Sequence, residues 1–410
     1  MLNIPLQAQR LIKKTAALCA LGFLAAAGFS GRATAAPLPL GVMGVSYPGR
    51  RGEYANAAKN LAELKSLGFS MVAFAPSYAY TGLNQIDFSV GPSSAELTAA
   101  MAGALEDGFT VMLKPHLDPP IYFPGFNPLT SNNASWRVSV SWRGYFDVDP
   151  MSNAYREGII HGSLLDIKAA LARASARGAH PAPVQLELGT ELMDSVVARP
   201  GRWLELLKWT RGDLKRLGLS GRVRLSHDFA HHLQIPEDFV LRMSPVQRKT
   251  LGRYISGLDA VDLSQYLDLK IGEPTAARAQ RPPTPPEIAK ALSVYDARFR
   301  KEILGHYLGL TPAQMPPLGF GEFGIGRGGL LHPNYWSGAA TPAQKQEVEK
   351  EIVLGLRGLA DYLAMPSGRT ARYAVLWVTG SYYDIFGWMN PAYANPAAQK
   401  AVTDYLRGKP

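Results

Sequence analysis

The sequence predicts a (β/α)₈ TIM barrel folded as a single domain. Three observations point there. Short apolar runs alternate with longer amphipathic ones through eight strand–helix units. A helix–glycine–strand junction recurs at Gly68, Gly108, Gly178 and Gly218. Two acidic residues, Glu191 and Glu322, each sit where a strand-like run gives way to a loop, 131 residues apart.

The elements follow in order. Leu40–Val45 reads as the first strand, and Tyr54–Leu67 as a helix that Gly68 stops. Met71–Ala75 is the second strand. Ser93–Asp107 is helical, with Ser93 or Ser94 as the cap and Glu96 in the first turn. Thr110–Lys114, the third strand, leads into a long loop and then a helix over Gly158–Arg177. Val184–Leu188 is the fourth strand, and Arg202–Leu217 the helix after it. Arg222–Ser226 is the fifth strand, and Pro236–Ile255 reads as helical in pieces. Ala260–Ser264, Pro317–Gly321 and Ala374–Val378 complete the strands. Pro285–Tyr307, Thr341–Ala364 and Ala397–Arg407 are their helices. The run Pro282-Pro-Thr-Pro-Pro286 has barrel units on both sides, so it reads as a loop entering a helix near Pro285 or Pro286 rather than as a linker.

The N-terminus is expected to stand apart from this fold. Arg10, Lys13 and Lys14 precede an apolar stretch, Thr15–Phe29, and Ala33-Thr-Ala35 supplies the small residues of a cleavage site. Residues 1–35 are therefore read as a signal peptide and residues 36–410 as the barrel domain. The expectation is an exported protein, periplasmic or secreted, with no membrane span after cleavage. The only cysteine, Cys19, lies in the leader, so the mature chain has neither a disulfide nor a catalytic thiol. Four basic residues also leave with the leader (Arg10, Lys13, Lys14, Arg32), which lowers the formal charge from +10 to +6. The remaining basic residues are scattered along helix faces, so no nucleic-acid partner is expected.

Glu191 and Glu322 carry the chemistry. Carboxylates at the C-terminal ends of barrel strands are how such a fold builds a glycosidase site. One carboxyl donates a proton to the leaving oxygen while the other, ionised, attacks the anomeric carbon. Retention of configuration needs the two about 5–5.5 Å apart. Glu187 lies four residues before Glu191 on the same strand face and is given a supporting role deeper in the barrel. The loops after the third and eighth strands are rich in rings that would stack on sugars, Trp142 among them.

Leu113-Lys-Pro-His116, Gly189-Thr-Glu-Leu192 followed by Trp203, Tyr266, Gly321-Glu-Phe-Gly324 and Trp377 together resemble glycoside hydrolase family 113. The resemblance spans about Gly41 to Trp388. It implies a retaining β-1,4-mannanase on a clan GH-A barrel. Glu191 would be the acid/base and Glu322 the nucleophile. Tyr266 would hydrogen-bond the nucleophile, Trp377 would floor the sugar site, and Lys114 and His116 would hold sugar hydroxyls. The chain departs from the wider clan in having Thr190 where many members have Asn. It departs from the family in an acidic fifth-strand end, Ser226-His-Asp-Phe229. Asp228 is accordingly placed among the substrate-binding residues.

No metal and no other cofactor is expected. His227 and Asp228 with His231 and His232 have metal-ligand character, but a loop rich in His and Asp can simply line a sugar cleft, which is the reading preferred. Gly324-Ile-Gly-Arg-Gly-Gly329 matches a dinucleotide loop in form, but His332-Pro333 follows where a helix would have to open. The function expected is a retaining β-glycosidase, endo-acting on a β-mannan-like or bacterial exopolysaccharide and monomeric. The alternatives are a transglycosylase using the same residues and a non-catalytic glycan-binding barrel in polysaccharide export or assembly.

Overall fold

Eight parallel strands close into a barrel in the computed structural model. It describes residues 41–82, 84–119, 144, 146–230, 238–267, 283–325, 341–366, 370–377, 385–387 and 394–408. The strands are β1 (Val42–Gly49), β2 (Met71–Gly82), β3 (Thr110–Leu113), β4 (Val184–Thr190), β5 (Val223–Ala230), β6 (Val261–Leu267), β7 (Leu318–Ile325) and β8 (Ala371–Leu376). Each pairs with the next, and β8 returns to β1 through Val42 opposite Tyr373. Closure leaves no free edge among the eight barrel strands. Two short strands extend the wall at β2: Gln85–Asp87 antiparallel to it, and His116–Asp118 parallel to it. The span 36–410 is one compact unit. Among the described residues, no helix is long and apolar enough to cross a membrane.

A helix follows each strand: α1 (Ala57–Leu67), α2 (Ser94–Glu106), α3 (Gly162–Ala176), α4 (Pro200–Leu217), α5 (Pro245–Ser256), α6 (Pro285–Arg298), α7 (Pro342–Ala364) and α8 (Pro396–Leu406). Their ends follow sequence chemistry. Ser93 caps α2 in a capping box with Glu96, and Ser244 caps α5 with Gln247 ahead of Pro245. Gly68 and Gly218 end α1 and α4 at φ 100° and 73°, where a side chain would be strained. A π-helical stretch, Ala154–His161, opens α3, and another, Phe299–Tyr307, extends α6. The predicted strands start within a few residues of the observed ones. The first, second and fourth to seventh run on past their predicted ends, in places where polar residues such as Asp228 and Glu322 follow the apolar stretch used to find them.

Two cores hold the barrel. Leu, Ile, Val and aromatic side chains fill the space between strands and helices, with Trp203 wholly buried. Met71, Ala73, Met112, Ala260, Tyr373 and Val375 plug the lower interior. Such a plug makes the interior solid, so substrate chemistry belongs above it.

Asp296 adds a titratable buried group on the helix shell. It lies on α6 and accepts hydrogen bonds from Tyr362 Oη of α7 and, at 3.3 Å, from the Ala371 N–H. Burial pushes its carboxyl from 3.8 up to about 6. The folded state therefore holds this proton more tightly than the unfolded chain does. The stability contributed is complete below pH 3.8 and lost as pH rises through about 6. A rise of that size corresponds to about 3 kcal/mol. In Asp296→Asn, thermal unfolding measured across that window should show a flatter pH dependence than in the parent.

Candidate active site

The site is built upward from the barrel floor. Alternation sends every second strand residue inward, and inward residues above the apolar plug are polar. Gln185 Nε2 donates to Ser226 Oγ at 2.9 Å, Asp262 Oδ2 at 2.7 Å and Tyr373 Oη at 2.7 Å. Tyr373 Oη in turn donates to Asp262 Oδ1 at 2.5 Å. Every one of these groups is buried, and their mutual hydrogen bonds satisfy what burial would otherwise leave unpaired.

Lys114 forms the next layer. It follows β3, has no exposed surface, and reaches the barrel axis. Its Nζ donates to Asp228 Oδ2 at 3.0 Å and to the Gly321 carbonyl at 2.8 Å. Glu322 Oε1 lies 3.1 Å away and Glu187 Oε1 3.7 Å away. Burial works against the ammonium, but Glu187, Glu322 and Asp228 outweigh it and raise the Lys114 pKa. Burial raises the Asp228 and Glu187 carboxyls, and Lys114 opposes it in both. Ser264 Oγ donates to Asp228 Oδ2 at 3.1 Å, and Thr190 Oγ1 lies 2.8 Å from Glu187 Oε2.

Glu322 stands at the top of this stack. Tyr266 Oη donates to its Oε2 at 2.6 Å, and His116 Nε2 lies 3.1 Å from its Oε1. Trp377, half-buried just after β8, stacks on the His116 ring at 5.2 Å with planes 14° apart. Glu191 follows β4 and is 5% exposed. Its N–H donates to the Asp228 carbonyl at 2.9 Å, and its charge acts on Asp228 together with that of Glu322.

Both glutamates are aimed by bulges. Between Glu187 and Thr190, β4 carries one residue more than β5 does between Ser226 and Asp228. Strand β7 has one extra residue against both neighbours: Gly319 to Glu322 pairs with Asp262 to Ser264, and Phe320 to Phe323 with Ala374 to Leu376. A bulge re-aims the side chain that follows it. Glu191 is also held at φ 57°, a left-handed conformation costing about 1–2 kcal/mol for a residue with a Cβ.

The glycines beside these glutamates face protein. A Cβ at Gly321 would lie 2.6 Å from Asp228 Oδ2 and 2.9 Å from Glu187 Oε1, and one at Gly319 would lie 2.3 Å from Tyr373 Cζ. A Cβ at Gly189 would meet the His227 ring at 2.6 Å and Trp203 at 2.7 Å. These positions make room for the buried carboxyls and for Trp203.

The structure thus gathers Lys114, His116, Asp228, Tyr266 and Glu322 into one connected set, with Trp377 stacked on His116 and the Glu191 N–H donating to the Asp228 carbonyl. Asp228 is wholly buried beneath Glu322. Trp142, His231 and His232 lie outside the described residues. Of the rings in the loops after the third and eighth strands, Phe146 stacks on Tyr80 and Phe386 packs on Phe69, both as core residues. His227 faces the helices, where Tyr254 Oη lies 2.9 Å from its Nδ1 and burial pushes its imidazole down to about 3. Among the described residues, no group of three or more His, Cys, Asp or Glu is arranged to hold a metal ion. Sequence reasoning missed the Gln185–Ser226–Asp262–Tyr373 layer. The signal was there as a period-two polar pattern, Gln185/Glu187 and Asp262/Ser264/Tyr266, in strands whose parallel setting favours apolar residues on both faces.

The chain matches no family model, and no curated protein matches it in sequence. Its fold is shared with solved structures. A GH113 β-1,4-mannanase is 16% identical with a TM-score of 0.54, over 91% of this chain and all of that one. The GH113 β-mannanase from Alicyclobacillus acidocaldarius is 15% identical with a TM-score of 0.51, over 91% of this chain and 98% of that one. The fold is therefore a (β/α)₈ barrel, and these neighbours belong to the family that the motifs resemble.

Proposed function

We propose that this chain is a retaining β-glycosidase acting on a β-mannan-like or bacterial exopolysaccharide. The observation that carries the reading is the setting of Glu322. Tyr266 Oη at 2.6 Å, Lys114 Nζ at 3.1 Å and His116 Nε2 at 3.1 Å surround a carboxylate at the barrel mouth. The Tyr266 hydrogen bond and the Lys114 ammonium stabilise its ionised form, which is the form that attacks. Glu191, just after the bulged strand β4, supplies the proton. In the first step the Glu322 carboxylate bonds to the anomeric carbon as the glycosidic bond breaks, and Glu191 protonates the departing oxygen. In the second step Glu191, now a carboxylate, takes a proton from water. The resulting hydroxide attacks the anomeric carbon and releases Glu322. Trp377 and His116 offer a flat stacked wall for a sugar ring. We further propose export by cleavage after Ala35, which N-terminal sequencing of the secreted protein would test by finding Ala36 first.

The deciding experiment is a product screen of residues 36–410 on β-mannans, β-glucans and bacterial exopolysaccharides, with the anomer of the first product read by NMR. Retention supports the assignment. An inverted first product, or full turnover by Glu191→Ala, would exclude it. Tyr266→Phe should lower kcat/KM about 10- to 100-fold, since a hydrogen bond to a charged group contributes about 1.5–3 kcal/mol. Its KM should change little, because the lost bond is to the nucleophile rather than to substrate.

A further inference from the structure

The layer beneath Glu322 bears on its charge, and the inference drawn from it rests on the assignment of Glu322 as nucleophile. Three carboxyls, Glu187, Asp228 and Glu322, lie within 3.7 Å of a single buried ammonium, Lys114 Nζ. Three negative charges on one cation in a dry interior carry a large desolvation cost, which one proton relieves. The geometry selects where that proton resides. Asp228 Oδ2 accepts from both Lys114 and Ser264, the environment of an ionised carboxylate. Glu322 Oε1 lies 3.1 Å from the ammonium. Glu187 Oε1 is 3.7 Å from it, beyond hydrogen-bond reach, and among the described residues the Thr190 hydroxyl, at 2.8 Å, is the hydrogen-bond partner of Glu187 Oε2. A proton on Glu187 Oε2 would point at Thr190 Oγ1, whose own proton faces the Pro115 carbonyl at 3.5 Å.

We infer that Lys114, Asp228 and Glu187 form one positioning unit for the nucleophile: Lys114 bridges ionised Asp228 and ionised Glu322, while Glu187 beside them keeps its proton. Burial, Asp228 and Asp262 favour a proton on Glu187 against Lys114 and the Thr190 hydroxyl. Burial raises Asp228 as well, and its two hydrogen bonds from Lys114 and Ser264 decide that the proton goes to Glu187. The other titratable groups around the unit are Asp262 from β6, Tyr373 from β8 and Tyr155, whose hydroxyl donates to the Leu188 carbonyl at 2.7 Å. Above it are Glu191, His116 and Tyr266. Lys114 and Asp228 thereby act through Glu322 and not on the sugar, and the acidic fifth-strand end exists to hold Lys114 in place.

The test is the acid limb of the kcat/KM pH profile, which reports ionisation of Glu322 in the free enzyme. Lys114→Met removes the cation and should move that limb to higher pH by about one unit or more. Asp228→Asn leaves the whole ammonium to Glu322 and should move the limb to lower pH. Glu187→Gln replaces one neutral group by another and should leave it within about 0.3 unit. A purely structural role would depress activity in all three variants with the limb in place. A Glu187→Gln shift as large as that of Asp228→Asn would overturn the inference. Titration of the side-chain carboxyls of the parent protein by ¹³C NMR, with Glu187→Gln for the assignment, gives the answer without turnover. Glu187 should be neutral at pH 7, and Asp228 and Glu322 ionised; an ionised Glu187 refutes the unit even if Lys114→Met does not fold. If the parent turns over no glycan, the glycosidase reading fails while the titration still decides the charge assignment.

Discussion

Glu322→Ala should abolish turnover, with kcat/KM down by a factor on the order of 10⁴ or more, while the barrel stays folded. The size follows from the role. Without the carboxylate no glycosyl–enzyme bond forms, and water must attack from a position held by a glutamate that is no longer there. Lys114 keeps its bonds to Asp228 and to the Gly321 carbonyl, so the buried charge is not orphaned. Far-ultraviolet circular dichroism and the unfolding midpoint should therefore stay near those of the parent. The space vacated beside Tyr266 and His116 admits a small anion. Azide should restore turnover of a substrate with an activated leaving group, and the product should be the glycosyl azide of inverted configuration. Unimpaired turnover by Glu322→Ala would remove Glu322 from the chemistry whatever Glu191→Ala does. Unimpaired turnover by both would remove the pair from the chemistry.

Trp203→Ala should cost about 3–5 kcal/mol of stability, the range for truncating a buried large aromatic. Trp203 has no exposed surface, and its Nε1 donates to Ser195 Oγ at 3.0 Å. Its ring meets Tyr155 edge-on at 5.7 Å and His227 at 4.9 Å. The same ring abuts Gly189, two residues before Glu191, where even one added methyl would collide with it. The indole is thus the outer wall of the β4 bulge. Its loss should lower the denaturant midpoint with an unchanged slope. Activity at 25 °C should also fall more than the unfolded fraction explains, because the bulge that aims Glu191 loses its backing. If activity tracks the folded fraction alone, Trp203 supports stability only.

Much of the barrel was legible in the chain. Helix caps and stops are local chemistry: Ser93 with Glu96, Pro285 at a helix start, glycines past helix ends. They mark boundaries whatever the tertiary fold. The parallel strands announced themselves as apolar runs separated by amphipathic ones, the spacing that parallel pairing requires. The predicted strands fell short where they turn polar, because a polar residue inside a barrel looks like a loop residue until its partners are known. Gln185 and Asp262 come from sequence positions 77 residues apart and meet only because the barrel closes.

The direction of the two glutamates lay beyond the sequence. Alternation from Gly319 and Gly321, both inward, would send Glu322 outward to the helices. The extra residue in β7 turns it back to the axis, where Lys114, His116 and Tyr266 converge. Glycines inside strands are the local hint of such bulges, but a glycine alone does not say which neighbour it makes room for. Periodicity and capping are properties of neighbours along the chain, so the eight-unit barrel, its helix boundaries and the two acidic positions could be read from residue order. Which way those acids point, and that a single buried lysine joins three carboxyls, could not. Bulges and charge clusters are properties of strands that meet across the barrel.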